Sequence, residues 1–165
     1  DLCADMQEAI EERLAVAGYA NYETSAFART GRQCRHNLNY WHFGDYLGIG
    51  AGAHSKLTLH DRVLRQMRWK HPNAYLDKVG AGSPVHEESE VPASQLPFEF
   101  LMNALRLAEG FHPALFEART GQQLGAIMPQ LRAAEAENLL TVGPERIAPT
   151  LKGRRFLNVL LERFL

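Results

Sequence analysis

The hydrophobic period of this chain changes once along its length, and that change limits what it can fold into. From Ser94 onward, apolar residues recur at helical spacing. Phe98, Leu101, Met102 and Leu105 fall at i, i+3, i+4 and i+7, and Leu124, Ile127, Met128 and Leu131 repeat the pattern. Before residue 80 the apolar runs are shorter and mixed. Between the two regimes, residues 80–93 carry Gly80, Gly82, Pro84 and Pro92 and the acids Glu87, Glu88 and Glu90, a composition that reads as a linker. Three parts are therefore expected: 1–79, a linker at 80–93, and a mostly helical region at 94–165.

The first part is expected to open on a helix over 5–17. Asp5 and Glu8 have capping-box spacing, Met6, Ile10 and Leu14 lie on one face, and Gly18 supplies a stop. Residues 22–28 read as a strand, 29–35 as a polar turn, 36–45 as an aromatic-rich turn or short helix, and 46–50 as a short buried strand. This order suits the end of an α/β barrel. Residues 56–60 and 62–69 flank Asp61 as a hairpin at a sheet edge, and a short helix follows Pro72 to about Gly80.

In the third part Ser94 is placed to cap the first helix and Gly110 to end it. Pro129 splits or kinks the second apolar run, because proline lacks an N–H and clashes with the preceding turn. Residues 139–142 and 146–149 read as two short strands around Gly143, Pro144 and Glu145. A last helix carries Phe156, Leu160, Leu161 and Phe164. Helices, then a hairpin, then a helix give a winged-helix-like order.

Composition narrows the function classes. The 165 residues carry a net charge of −1, which gives no general attraction to nucleic acid or an anionic membrane. No apolar run reaches the roughly 18–20 residues of a membrane span. The two cysteines, Cys3 and Cys34, form no CxxC pattern and suit a reducing cytoplasm. No HxxxH or HExxH occurs, and His54, His60, His71, His86 and His112 are scattered, so a dedicated zinc site is not expected. The chain starts at Asp1 and enters helical pattern almost at once, so a piece of a longer protein is expected.

Chemistry concentrates in residues 35–55, RHNLNYWHFGDYLGIGAGAHS. Gly48, Gly50 and Gly52 give a strand end with little side-chain bulk, where backbone can approach a flat ligand or pack closely against a barrel wall. A dinucleotide site is not supported, since position 53 is Ala and the GxGxxG match is incomplete. Upstream, His36 stands with Asn37, Tyr40 and Trp41. An imidazole flanked by aromatic rings can serve as an axial ligand to heme iron, but from this residue alone a histidine fixed in a polar, hydrogen-bonded turn is the favoured reading.

The two motifs in this order, HNxxYW then FGDYLGIGAGAHS, resemble the radical S-adenosylmethionine (SAM) proteins of the oxygen-independent coproporphyrinogen III oxidase type, and among them the heme-chaperone (HemW) branch. Residues 22–28, YETSAFA, resemble the same family's penultimate strand region. PFEFLMN at 97–103, Arg106-Leu107 and LNVLLE at 157–162 resemble its C-terminal domain. The resemblance covers essentially the whole chain.

It implies an α+β and α/β architecture: the terminal portion of a partial (β/α)6 radical SAM barrel with a hairpin, then a mostly helical, winged-helix-like C-terminal domain. It implies a parent with a 4Fe–4S cluster on a CxxxCxxC motif upstream of Asp1, with SAM, and with heme. Ala53 matches the position where backbone meets the adenine of SAM. His36 matches the histidine implicated in heme binding, as a candidate ligand to the iron, with Asn37, Tyr40 and Trp41 as motif neighbours.

The expected function is that of a heme chaperone passing heme to an acceptor protein, the chain alone being non-catalytic. The alternative is an oxidase that decarboxylates coproporphyrinogen. A third reading, a winged-helix nucleic-acid module, rests on Lys152, Arg154 and Arg155. It is weak, because residues 113–165 carry a net charge of only +2. Residues 1–79, as a piece of a barrel, are expected to self-associate through exposed strand edges at 22–28 and 46–50.

Overall fold

A computed structural model describes residues 2–165. It is a mixed α/β chain with three small antiparallel sheets and one main hydrophobic core. Helix α1 (Leu2–Val16) leads into strands β1 (Ala20–Glu23) and β2 (Ala26–Ala28). Asp5 lies inside α1 and not at a cap, and the helix buries no side chain. Met6 and Ile10, expected to face a core, are 57% and 51% exposed. Gly18 takes a positive φ of 80° just past the helix end, as the sequence suggested.

The single strand expected at 22–28 is a hairpin. Ala20 pairs with Ala28 and Asn21 with Phe27, and a turn at Thr24 and Ser25 breaks the run. The side chain of Asn21 holds this turn by donating to the carbonyl oxygens of Glu23 and Ala26. Helix α2 (Arg35–Trp41) follows.

Residues 46–50 do not form the buried strand expected of them. Only Tyr46 pairs, through a bridge to Lys56, while Leu47 and Ile49 are 69% and 87% exposed. Apolar content alone did not specify burial here.

Strands β3 (His54–Thr58) and β4 (Val63–Arg68) form the predicted hairpin, with Thr58 opposite Val63. The pair is not an isolated edge. After α3 (Pro72–Gly80), strand β5 (Val85–Glu90) adds antiparallel to β4, so β4 is central. Residues read as linker therefore contain a strand, and Val91 just beyond it is buried. The sequence VHEESE conceals β5, because a largely exposed strand needs no apolar alternation.

Helices α4 (Leu96–Ala104) and α5 (Pro113–Thr120), a 3-10 turn (Leu124–Ile127) and α6 (Met128–Ala136) build the core. Ser94 is not the cap of α4; Gln95 precedes it, without a side-chain capping bond. The buried face is Leu96, Phe100, Leu101 and Ala104, rotated from the expected one, and Met102 is 40% exposed. Pro129 sits in the first turn of α6, where its missing N–H costs nothing, so the apolar run splits there as expected.

Strands β6 (Leu140–Val142) and β7 (Ile147–Pro149) form the expected hairpin. The last helix is divided into α7 (Leu151–Arg155), α8 (Leu157–Leu161) and a 3-10 turn (Glu162–Phe164). Phe156, expected on its buried face, sits at the break and is 55% exposed.

Phe100 is the centre of the core. It makes edge contacts with Phe43, Phe111 and Phe116 at centroid distances of 5.9, 4.9 and 5.3 Å. Through Phe43, the loop that follows α2 is anchored to the helical half of the molecule.

Candidate functional site

The chemistry-bearing stretch starts on α2. His36 is exposed on its first turn, and its ring meets the edge of Tyr40 at 4.8 Å. The spacing i to i+4 on a helix makes that contact. Tyr40 in turn packs on Tyr46 at 4.4 Å. His36, Tyr40 and Tyr46 thus form a continuous aromatic line, with the imidazole at its exposed end. Asn37 is half-buried, and no side-chain role is visible for it.

Trp41 faces the other half of the chain. The guanidinium carbon of Arg106 lies 4.3 Å from the centroid of its ring. Arg106 also reaches the buried carboxylate of Glu23, at 3.4 Å. Among the described residues, neither Trp41 Nε1 nor Arg106 Nε has a hydrogen-bond partner, although both atoms are buried. Glu23 bridges antiparallel to Leu107, and the amide of Ala108 donates to the carbonyl of Tyr22. Trp41, Arg106 and Glu23 therefore tie α2 and β1 to the segment after α4.

The loop after α2 is held by Lys56. This lysine is 2% exposed, and its Nζ donates to the Phe43 carbonyl, Asp45 Oδ1 and Thr58 Oγ1 at 3.0–3.1 Å. Burial lowers the Lys56 pKa, and Asp45 offsets this only in part. The Asp45 carboxyl lies below the usual range: burial pushes it up, but hydrogen bonds from Thr58 and Lys56 outweigh that. Nothing in the sequence marks Lys56, since a buried lysine is recognised only by its partners.

The glycine stretch packs against the three-stranded sheet. A Cβ on Gly48 would lie 2.1 Å from the His54 carbonyl oxygen, so this position excludes any side chain. Gly48 N donates to Ser55 Oγ, Gly50 N to Tyr75 Oη, and Gly52 N to the Trp69 carbonyl. Close backbone packing, one of the two roles read from these glycines, is thus realised.

Ala53 follows this turn. Its amide donates to the Gly50 carbonyl and its carbonyl accepts from the Arg68 amide. Its N–H is therefore engaged within the chain, and one carbonyl lone pair remains for an outside donor. Among the described residues, no group of three or more His, Cys, Asp or Glu is placed to hold a metal ion. Among the described residues, no helix is long and apolar enough to cross a membrane.

With this geometry in view, comparison with known proteins defines the class. Residues 91–156 match the HemN C-terminal domain. The fold superposes on coproporphyrinogen III oxidase (HemN) from Escherichia coli, a radical SAM enzyme. The TM-score is 0.65 at 18% identity, over 96% of this chain and 39% of that one, a likeness of fold.

The sequence relatives are more particular. Over its whole length the chain is 45% identical to the heme chaperone HemW of Escherichia coli and 44% identical to that of Haemophilus influenzae. It is 32% identical to heme chaperone HemW from Mycobacterium tuberculosis strain H37Rv. It covers 43%, 42% and 40% of those proteins, so it spans about two fifths of the length of the curated relatives it matches. The resemblance read from the two motifs is borne out along the entire chain.

Proposed function

We propose that this chain is part of a radical SAM heme chaperone that binds heme and delivers it to acceptor proteins. The observation that carries this reading is the 45% identity to heme chaperone HemW along the full length of the chain, including the segment with His36, Tyr40 and Trp41. The 18% identity to the oxidase HemN is a likeness of fold, so decarboxylation of coproporphyrinogen is the less favoured reading.

The residues present suit heme in one place. His36 offers an exposed imidazole, and the Tyr40 and Tyr46 rings behind it extend an aromatic surface. Imidazole is a common axial ligand to heme iron. His36 is proposed as that ligand, with Tyr40 orienting the ring and Trp41 fixing the helix through Arg106. Asn37 is proposed only as a neighbour in the motif. For SAM, Ala53 is proposed to meet the adenine by van der Waals contact or through its remaining carbonyl lone pair. A 4Fe–4S cluster is proposed for the parent on ligands other than those described, because Cys3 and Cys34 belong to no group of metal-binding side chains.

The finer architecture belongs to the same proposal. Residues 1–79 are read as the end of a radical SAM barrel with its hairpin, 80–93 as a connection that includes β5, and 94–165 as the C-terminal domain. The order α5, α6, β6, β7 supports a winged-helix-like arrangement. Its basic cluster is already engaged. Lys152 donates to the Glu137 carbonyl, Arg154 to Asn21 Oδ1 and Arg155 to Glu8 Oε1. That commitment leaves little for phosphate and disfavours nucleic acid.

The test is a hemin titration of the chain followed by its Soret band. Saturable binding with a shifted band is expected, and His36→Ala is expected to weaken it and change the spectrum. Unsaturable, nonspecific uptake would reject the heme reading for this chain.

A further inference from the structure

A cleft of about 610 Å3 opens where the end of α2 meets α5 and the turn between β6 and β7. It falls within the size range of small-ligand sites. His42 follows His36 by six positions and caps the C-terminal end of α2, so at 3.6 residues per turn the two lie on different faces, and the cleft is reached from the His42 side.

The charged groups of the cleft are mostly paired. Arg146 lies 3.8 Å from Glu109, and His112 Nε2 lies 3.3 Å from Glu145. His112 Nδ1 accepts the Ala114 amide at 3.1 Å, so the proton sits on Nε2, toward Glu145, and a neutral ring satisfies both contacts. Two lining groups are left over. Arg119 is half-buried and has no ion-pair partner among the described residues. His42 is half-buried beside it, and its side chain makes no hydrogen bond among the described residues. Burial, and then the charge of Arg119, lower the His42 pKa. The apolar wall is Phe111, buried, and Leu115, half-buried.

We propose that this cleft binds the carboxylate of an amphipathic organic acid, with Arg119 as the charge partner, His42 as a second donor, and the hydrocarbon against Leu115 and Phe111. A guanidinium fork matches a carboxylate in two parallel hydrogen bonds. With neutral histidines the charged lining residues sum to zero, Arg146 pairs with Glu109 and Glu145 meets the neutral His112 ring, so Arg119 is the one lining cation without an ion-pair partner among the described residues and suits a single carboxylate. A phosphate dianion would meet both glutamates. The apolar wall separates this ligand class from a bare inorganic anion. The site does not depend on heme binding at His36.

The test is calorimetric titration of the chain at pH 7 with hexanoate, hexanol and inorganic phosphate. Hexanoate is expected to saturate, with hexanol and phosphate at least tenfold weaker. Arg119→Gln is expected to lower hexanoate affinity tenfold or more, while Arg132→Gln, on an exposed arginine of α6 paired with Glu135, leaves it unchanged. In an NMR pH titration, bound hexanoate is expected to raise the midpoint of the His42 ring, whose charged neighbours in the cleft are Arg119, Glu109, Glu145 and Arg146, with His112 the other titratable group. Equal affinity in Arg119→Gln, equal binding of hexanol, or tighter binding of phosphate would overturn the proposal.

Discussion

Arg106 lies over the ring of Trp41, its guanidinium carbon 4.3 Å from the indole centroid, and the same side chain reaches buried Glu23. The two contacts have different weights. Trp41 Nε1 has no partner to lose, so Trp41→Phe keeps an aromatic face under the cation and changes stability by less than about 1 kcal/mol. Arg106→Leu leaves the Glu23 carboxylate buried without its cation and costs about 2–3 kcal/mol. Urea unfolding of the two variants checks the ranking, which reverses if stacking outweighs the ion pair.

Gly110 combines a positive φ of 65° with a close approach: an added Cβ would lie 2.0 Å from the Ile147 carbonyl oxygen. This is where Phe111 and Ile147 bond to each other through their backbones. Gly110→Ala is expected to destabilise the chain by about 3 kcal/mol or more, through both strain and overpacking. Gly125→Ala meets nothing within 4 Å and should stay within about 1 kcal/mol of the parent. Thermal or urea midpoints measure both.

Asp45 gives stability an acid dependence of known sign. Its folded pKa is lowered from 3.8, so below that value the unfolded chain binds more protons than the folded one. Stability from this group is present above about pH 4 and is lost as pH falls through the folded value. Asp45→Asn should flatten this part of the stability profile, as read by urea unfolding at several pH values. An unchanged acid limb would contradict the Lys56–Asp45–Thr58 arrangement.

Thr150 joins α7 to the end of α6. Its Oγ1 accepts from Gly153 N at 3.0 Å and donates to the Asn138 carbonyl at 2.7 Å. Thr150→Ala should cost about 1–2 kcal/mol, and Thr150→Ser much less. Loss of helical signal on the same scale in both variants would argue against the cap.

Sequence patterns revealed elements whose signals are local. Pro72 opens α3, Pro129 splits the run before α6, and the residues around Gly143 make the β6–β7 hairpin. Family resemblance located the His36 segment, which read from its residues alone favoured a polar turn over a ligand. What remained hidden depends on distant partners. The strand β5 is charged and largely exposed, so it has no apolar alternation. Residues 46–50 carry apolar side chains that face outward. Helix α5, capped by His112, lacks a run of strong periodicity. Lys56 is buried because Asp45 comes to it from the loop after α2, beside Thr58 of its own strand, and Glu23 because Arg106 reaches it from the segment after α4.

His36 is proposed to present its imidazole to heme iron from the first turn of α2. This ligation is tested most directly by titrating hemin into the chain and into His36→Ala while recording the Soret band. Saturable binding is expected for the unsubstituted chain, and for the variant a weaker affinity with an altered band. An identical affinity and spectrum in His36→Ala would contradict it.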